Sequence, residues 1–501
     1  MQKVILKTEA EKKGKLTKKT IMSRTRIVKG NIYETVEEHL NYYSAADIVE
    51  TASTTYVENS ETDILYGGNP EKPPVAEINI AADAIVHFRP MKNWKGKEYG
   101  FDWMRIKDTG LFGDDLYSDL MGTYDKYPSA DSSAIFTASS TLFTDLKGEY
   151  SNPFYSIPWL LKNRKPTSYY PSWICVEKNK EIKVSLKVQI RDKKKLPTEL
   201  VIAYDKTLCE ITTSLGKGTE NEKNDPTKNT HYAKIVIKKN ESYKLEDEIK
   251  LKVLEDIITP KILKVFCDGN EAGYLKLYNN KVKKLNVVCV KVTTNNGTGS
   301  IKGKVELENY LKQSLIKVNI VEKELDITKN SDGSSNADLS LTSISNGSGI
   351  NVSGNIRGKS LYDYLDEKLK MGYPHLGSNG KSDGTGTYDR FLRLYFLSET
   401  AYLMNGSTRI GVGGIGTPIG AGRGTMFSGI TDADIAHEAM HAIALGHSFG
   451  TQESISTITP YLFKYKKTEN VMDYAHLDDK DKYSTWKWQW DKLRNFNLLT
   501  E

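Results

Sequence analysis

From Ala76 to Pro90 apolar and polar residues alternate, with Ile78, Ile80 and Ala82 on one side, which predicts a strand. Phe88, Trp94, Tyr99, Phe101 and Trp103 follow closely and read as core or edge packing of a β-containing N-terminal region, 31–171. From Ser172 to Thr294 the period-two pattern recurs in short runs: Ile182–Ile190, Thr198–Tyr204, His231–Ile237, Ile249–Val253, Ile262–Phe266 and Leu285–Val292. Lys, Asn, Asp and Gly turns separate them, and no amphipathic helix interrupts. This spacing predicts an antiparallel sandwich of one or two Ig-like modules over 172–294.

Beyond the linker Asn295–Gly299 the period changes. Val305, Leu307, Tyr310, Leu311 and Leu315 fall at helical spacing, and Ile316–Val321 is strand-like. A Ser/Asn/Gly-rich loop, Thr328–Lys359, precedes a helix at Leu361–Leu369 and a strand at Phe391–Leu397. Trp486, Trp488, Trp490 and Leu493 suggest a closing amphipathic helix packed on the same body. Helices and strands alternating for the first time predict a separate α+β domain, 300–501. The whole reads as a multidomain chain, β-rich first and α+β last.

Composition narrows the classes. The 501 residues carry a net charge of +6, and ten Lys/Arg lie in Met1–Gly30 against only Glu9 and Glu11. That excess reads as a solvated, flexible arm, 1–30. No folded basic face with aromatic or helical readers accompanies it, so a nucleic-acid partner is not expected. No stretch reaches the roughly 18–20 apolar residues of a membrane span, and no integral membrane segment is expected. The arm lacks the apolar core of a secretory signal, which predicts a cytoplasmic protein or one secreted by a leaderless route. Cys175, Cys209, Cys267 and Cys289 fit no zinc spacing and read as buried free thiols.

Chemistry concentrates in one segment, His437-Glu438-Ala439-Met440-His441-Ala442-Ile443-Ala444-Leu445-Gly446-His447. It is an HExxH motif with a further histidine six residues on, so three of the chain's eight histidines occupy eleven positions. Thr431 and Asp434 resemble a capping box for a helix that buries Ile435, Ala436, Ala439, Met440 and Ile443. His437 and His441, four apart, project together from the other face. Gly446 is read as the place where the chain leaves the helix and brings His447 back. Three neutral imidazoles and a water make an open, catalytic type of zinc site (Zn2+). Glu438 lies about 100° round the helix from His437. It is placed to accept a proton from water activated by zinc and to return it to a leaving amine.

The motif resembles that of the metzincin zinc metalloendopeptidases, whose pattern continues to a methionine-containing turn beneath the metal. Glu469-Asn470-Val471-Met472-Asp473-Tyr474 is similar to that turn. The text His441–Ser448 is most similar to the matrixin branch, although Ala444 stands where the family pattern has glycine. The resemblance implies a hydrolase with His437, His441 and His447 as zinc ligands, Glu438 as general base, and Met472 supporting the site. Tyr474 matches the position of a tyrosine that ligates zinc or assists the oxyanion in astacins and serralysins. A protein or peptide substrate follows, and a layout similar to exported bacterial effectors or toxins adds a secretion-machinery partner. The rival reading is a binding or adhesion protein whose metzincin-like domain has lost turnover.

Gly411, Gly413 and Gly416 form a GxGxxG, but Pro418 and more glycines follow instead of a helix, so no dinucleotide cofactor is expected. The segment Gly411–Gly429 is instead expected beside the histidine helix, offering backbone to an extended peptide.

Overall fold

Strands whose apolar residues alternate build two facing sheets. In Glu181–Ile190, for instance, Ile182, Val184, Leu186, Val188 and Ile190 are all buried. In a computed structural model, residues 77–151, 154–220, 229–330, 333–336, 349–370, 388–416 and 418–501 are described. The expected basic arm 1–30 lies outside the described residues, as do 31–76 of the N-terminal region and 337–348 of the Ser/Asn/Gly-rich loop.

One sheet has seven strands, in the order Thr219–Glu220, Thr230–Lys234, Leu200–Asp205, Lys261–Cys267, Asn270–Leu277, Ser172–Cys175, Gly100–Asp102. The other has five, in the order Gly216–Lys217, Cys209–Thr213, Ser242–Val253, Glu181–Ile190, Ala84–Pro90. They share one core in which Phe88, Leu186, Ile202, Val265 and Tyr274 meet. The N-terminal region does not stand apart from this sandwich. Ala84–Pro90, buried at all seven positions, pairs antiparallel with Glu181–Ile190, and Gly100–Asp102 pairs antiparallel with Ser172–Cys175. Residues before 171 therefore supply the last strand of each sheet.

A third sheet carries the functional segment. Lys283–Thr294 runs parallel to Ile316–Asp326 on one side and to Leu392–Phe396 on the other. Arg423–Met426 continues in parallel, and Gly414–Ile415 closes the edge antiparallel. Val287 and Cys289 pack with the helices Lys304–Lys312 and Asp432–Ile443. Val288, Val290 and Val292 pack with the helix Leu361–Lys370 on the opposite face. A strand covered on both faces needs an almost continuous apolar run, and Val287-Val288-Cys289-Val290 is one. Two expectations are corrected here. Leu285–Val292 belongs to this sheet and not to the sandwich, and helices cover both faces of a mainly parallel sheet, an α/β layering in place of the α+β one expected.

Between the sandwich and this sheet lies a fourth core, where Tyr117 and Trp173 meet Phe463, Trp486, Trp488 and Trp490. Arg105, 1% exposed, crosses the seam and pairs with both Asp102 and Glu469. Residues Val75–Glu501 form one unit. The four cysteines are buried and free, and burial pushes the thiols of Cys175, Cys209 and Cys289 up to about 12. Among the described residues no helix is long and apolar enough to cross a membrane.

Candidate metal centre

The histidine helix Asp432–Ile443 begins where the sequence places it. Thr431 is the N-cap: its Oγ1 accepts from Asp434 N at 3.2 Å and donates to Asp434 Oδ2 at 2.5 Å. Ile435, Ala436, Ala439, Met440, Ala442 and Ile443 anchor it against the sheet. Its end differs from expectation. Ala444 is the C-cap with φ −170°, and neither it nor Gly446 is in the left-handed region. Gly446 is needed for space, because a Cβ there would collide with Thr459 Oγ1. The helix's last free carbonyls, on His441 and Ala442, accept from Gly420 N (3.0 Å) and Gly422 N (2.9 Å). Both glycines have positive φ, +80° and +69°, so the glycine-rich segment does lie against this helix, as a cap on its C-terminus.

His437, His441 and His447 converge. His441 Nε2 lies 3.1 Å from His437 Nε2 and 3.1 Å from His447 Nε2. His437 Nδ1 faces the Val471 carbonyl at 2.7 Å, and His441 Nδ1 faces the Leu445 carbonyl at 2.6 Å. A carbonyl only accepts, so each of these Nδ1 atoms carries the ring proton and each Nε2 is bare. Two bare nitrogen lone pairs then face each other at 3.1 Å, which is repulsive unless a cation lies between them. Tetrahedral ligands at about 2.0–2.1 Å from a metal stand about 3.3 Å apart. The three histidines therefore lie close enough together to hold a metal ion, and their donor set fits one. Burial holds all three rings below the usual imidazole range, with His441 near 4, so they are neutral and ready to ligate at neutral pH.

Glu438 is partly buried, and its Oε2 accepts from Gly416 N at 2.9 Å. Burial pushes its carboxyl up to about 7, against the opposing pull of the Gly416 N–H. A side chain at Gly416 would strike the Glu438 carbonyl and stand 2.7 Å from His441 Cβ, so only glycine lets this strand approach.

The turn after Glu469 reaches His437. Met472, fully buried, accepts from Ser448 N at 3.1 Å through its carbonyl, which ties the turn to the segment that carries His447. Asn470 Oδ1 accepts from Met472 N at 2.9 Å, and Val471 supplies the carbonyl that orients His437. The Tyr474 ring lies 5.0 Å from His447 and 5.3 Å from His437, centre to centre. Its hydroxyl makes no hydrogen bond among the described residues, and burial holds the phenol protonated.

Two neighbours escaped sequence reasoning. Tyr127 Oη lies 2.5 Å from His447 Nδ1, although 320 residues separate them. Lys482 is buried with its Nζ 3.0 Å from Asp434 Oδ1, and its charge acts on all three histidines and on Glu438. Neither sits in a motif, and neither gives a signal in a single sequence. Compared with known families and with curated proteins, the chain matches no family model and no curated protein.

Proposed function

We propose that this chain is a zinc-dependent endopeptidase of the metzincin type, hydrolysing bonds in a protein or peptide substrate. One observation carries the reading: the Nε2 atoms of three histidines meet, two of them bare, and the adjoining Glu438 has a carboxylate that a backbone N–H holds in place. His437, His441 and His447 would hold the ion, and imidazole sets of this kind suit zinc. When bound, a divalent ion supplies Lewis acidity, making a water more acidic and polarising a carbonyl.

The chain's own groups do the rest. Glu438, with its carboxyl near 7, accepts the proton of the attacking water and delivers it to the departing amine. Tyr474 keeps a neutral hydroxyl free to donate to the developing oxyanion. Met472 and the Val471 carbonyl fix the floor and the His437 ring. Gly414–Ile415, at the antiparallel edge of the sheet and against the histidine helix, offers backbone to an extended substrate. In the same reading the sandwich is Ig-like and serves placement of the enzyme, with no part in the chemistry.

The test is metal analysis with peptide cleavage on wild type and Glu438→Gln. About one zinc per chain is expected in both, with cleavage by the variant down by about 10²–10⁴-fold or more. Stoichiometric metal with no cleavage by wild type would favour the binding-protein reading, and absence of metal would end both.

A further inference from the structure

The hydroxyl of Tyr127 meets the ring nitrogen of His447 that points away from the other two histidines. We propose that Tyr127 is a positioning residue for His447, completing the metal site from a hairpin far away in the sequence; this rests on the metal-binding reading above. His437 and His441 have their rings set by main-chain carbonyls, Val471 and Leu445. For His447 the partner in that role is a side chain. A ring nitrogen that donates to a fixed acceptor sets the tautomer and aim of the opposite nitrogen, and such partners govern metal affinity. The Tyr127 oxygen accepts as well as donates. It accepts a hydrogen bond from the Nδ1–H of His447 when Nε2 must be bare.

The surrounding chain holds Tyr127 still. The strands Gly122–Tyr124 and Phe136–Ala138 form a hairpin, and Tyr124 bridges to Thr451, just past His447. Gly122 N donates to Leu462 O at 3.1 Å, Tyr124 N to Gly450 O at 2.9 Å, and Lys464 N to Leu120 O at 2.7 Å. Inside the loop the Tyr127 carbonyl accepts from Ala130 N and Asp131 N, each at 3.0 Å. Phe449 stacks on His447 with centres 4.9 Å apart and packs on the Tyr127 ring at 5.6 Å. Gly450 also lies against that ring, although a Cβ there would strike Ser454 and only touch Tyr127.

The experiment measures Zn2+ affinity of the full chain by competition with a chromophoric chelator, and the visible spectrum with Co2+. Proteins compared are wild type, Tyr127→Phe, Tyr127→Ala and the control Tyr124→Phe, which removes a hydroxyl bonded to Tyr465 N on the same hairpin. Tyr127→Phe is expected to weaken Zn2+ binding about 10–100-fold and to alter the Co2+ spectrum, with metal-free thermal unfolding unchanged. Tyr124→Phe is expected to match wild type. Affinity of Tyr127→Phe within about twofold of wild type overturns the proposal. So does a loss confined to Tyr127→Ala, which would credit ring packing instead of the hydroxyl. Wild type that binds no Zn2+ overturns this proposal and the metal-binding reading together. Wild type that binds Zn2+ but cleaves nothing overturns the peptidase reading alone, and the Tyr127 comparison still decides.

Discussion

Arg105→Met is expected to be among the most damaging single changes outside the metal ligands. Its guanidinium donates to Asp102 Oδ1, the Trp103 carbonyl, Glu469 Oε1 and Ser484 Oγ, and lies 3.7 Å above the Trp103 ring. Asp102 spends its other oxygen on Tyr150 Oη (2.9 Å) and Lys487 N (2.8 Å). Both carboxylates are 1% exposed, so water cannot replace the lost cation. Breaking a buried pair in this way costs about 3–5 kcal/mol, a large part of the roughly 5–15 kcal/mol that folded proteins possess. Urea unfolding of the full chain, followed by tryptophan fluorescence, reads the loss, since Trp103 and Trp486 flank the cluster. Glu469→Gln in the same background removes the stranded charge, so the double variant should recover about 0.5–3 kcal/mol relative to additivity. Glu469 directly precedes the turn that carries Val471 and Met472, so Zn2+ affinity should fall with stability. A cost below about 1 kcal/mol, or additivity within about 0.5 kcal/mol, would refute the reasoning.

Gly416→Ala forces the strand away from the histidine helix and removes the hydrogen bond to Glu438. A bond to a charged group is worth about 1.5–3 kcal/mol, which predicts kcat/KM down about 10–100-fold with zinc retained; unchanged kinetics would contradict it. Lys276 gives a pH signature. Burial lowers its ammonium to about 8 from 10.5, while Nζ donates to the Tyr150 carbonyl at 2.7 Å. Between those values the unfolded chain holds more protons, so this group's contribution to stability rises with pH and is most adverse below about 8. Lys276→Met should stabilise by about 2 kcal/mol at neutral pH: about 3 from the displaced pKa, less about 1 for the lost bond. The gain should fade toward about pH 10, and denaturation curves showing a pH-independent difference would count against it.

The histidine cluster was largely legible because its signal is local. A cap at Thr431 and an i, i+4 pair of histidines on one helix need nothing beyond eleven residues and the rules of helical geometry. The end of that helix was misread for a non-local reason: its carbonyls are capped by Gly420 and Gly422, so Ala444 can leave the helix without help from Gly446. Strand membership failed in the same way. Val287-Val288-Cys289-Val290 is a buried strand in either sheet, and only its parallel partners Ile316–Asp326 and Leu392–Phe396 decide which.

Composition shifts mark where the surface changes, and contacts ignore them. Residues before 300 give the C-terminal sheet its central strand, and Arg105 grips the residue ahead of the Met472 turn. Tyr127 meets the ring of His447. Each is a pairing of hydrogen-bonding groups far apart in the chain, and burial makes each one expensive to leave unmade. The histidine motif supplies three converging imidazoles, but the rings of His437 and His447 are met by groups brought from elsewhere in the chain. A segment beginning at Ser300 would keep every residue that the motif names while losing that strand, that clamp and that hydroxyl.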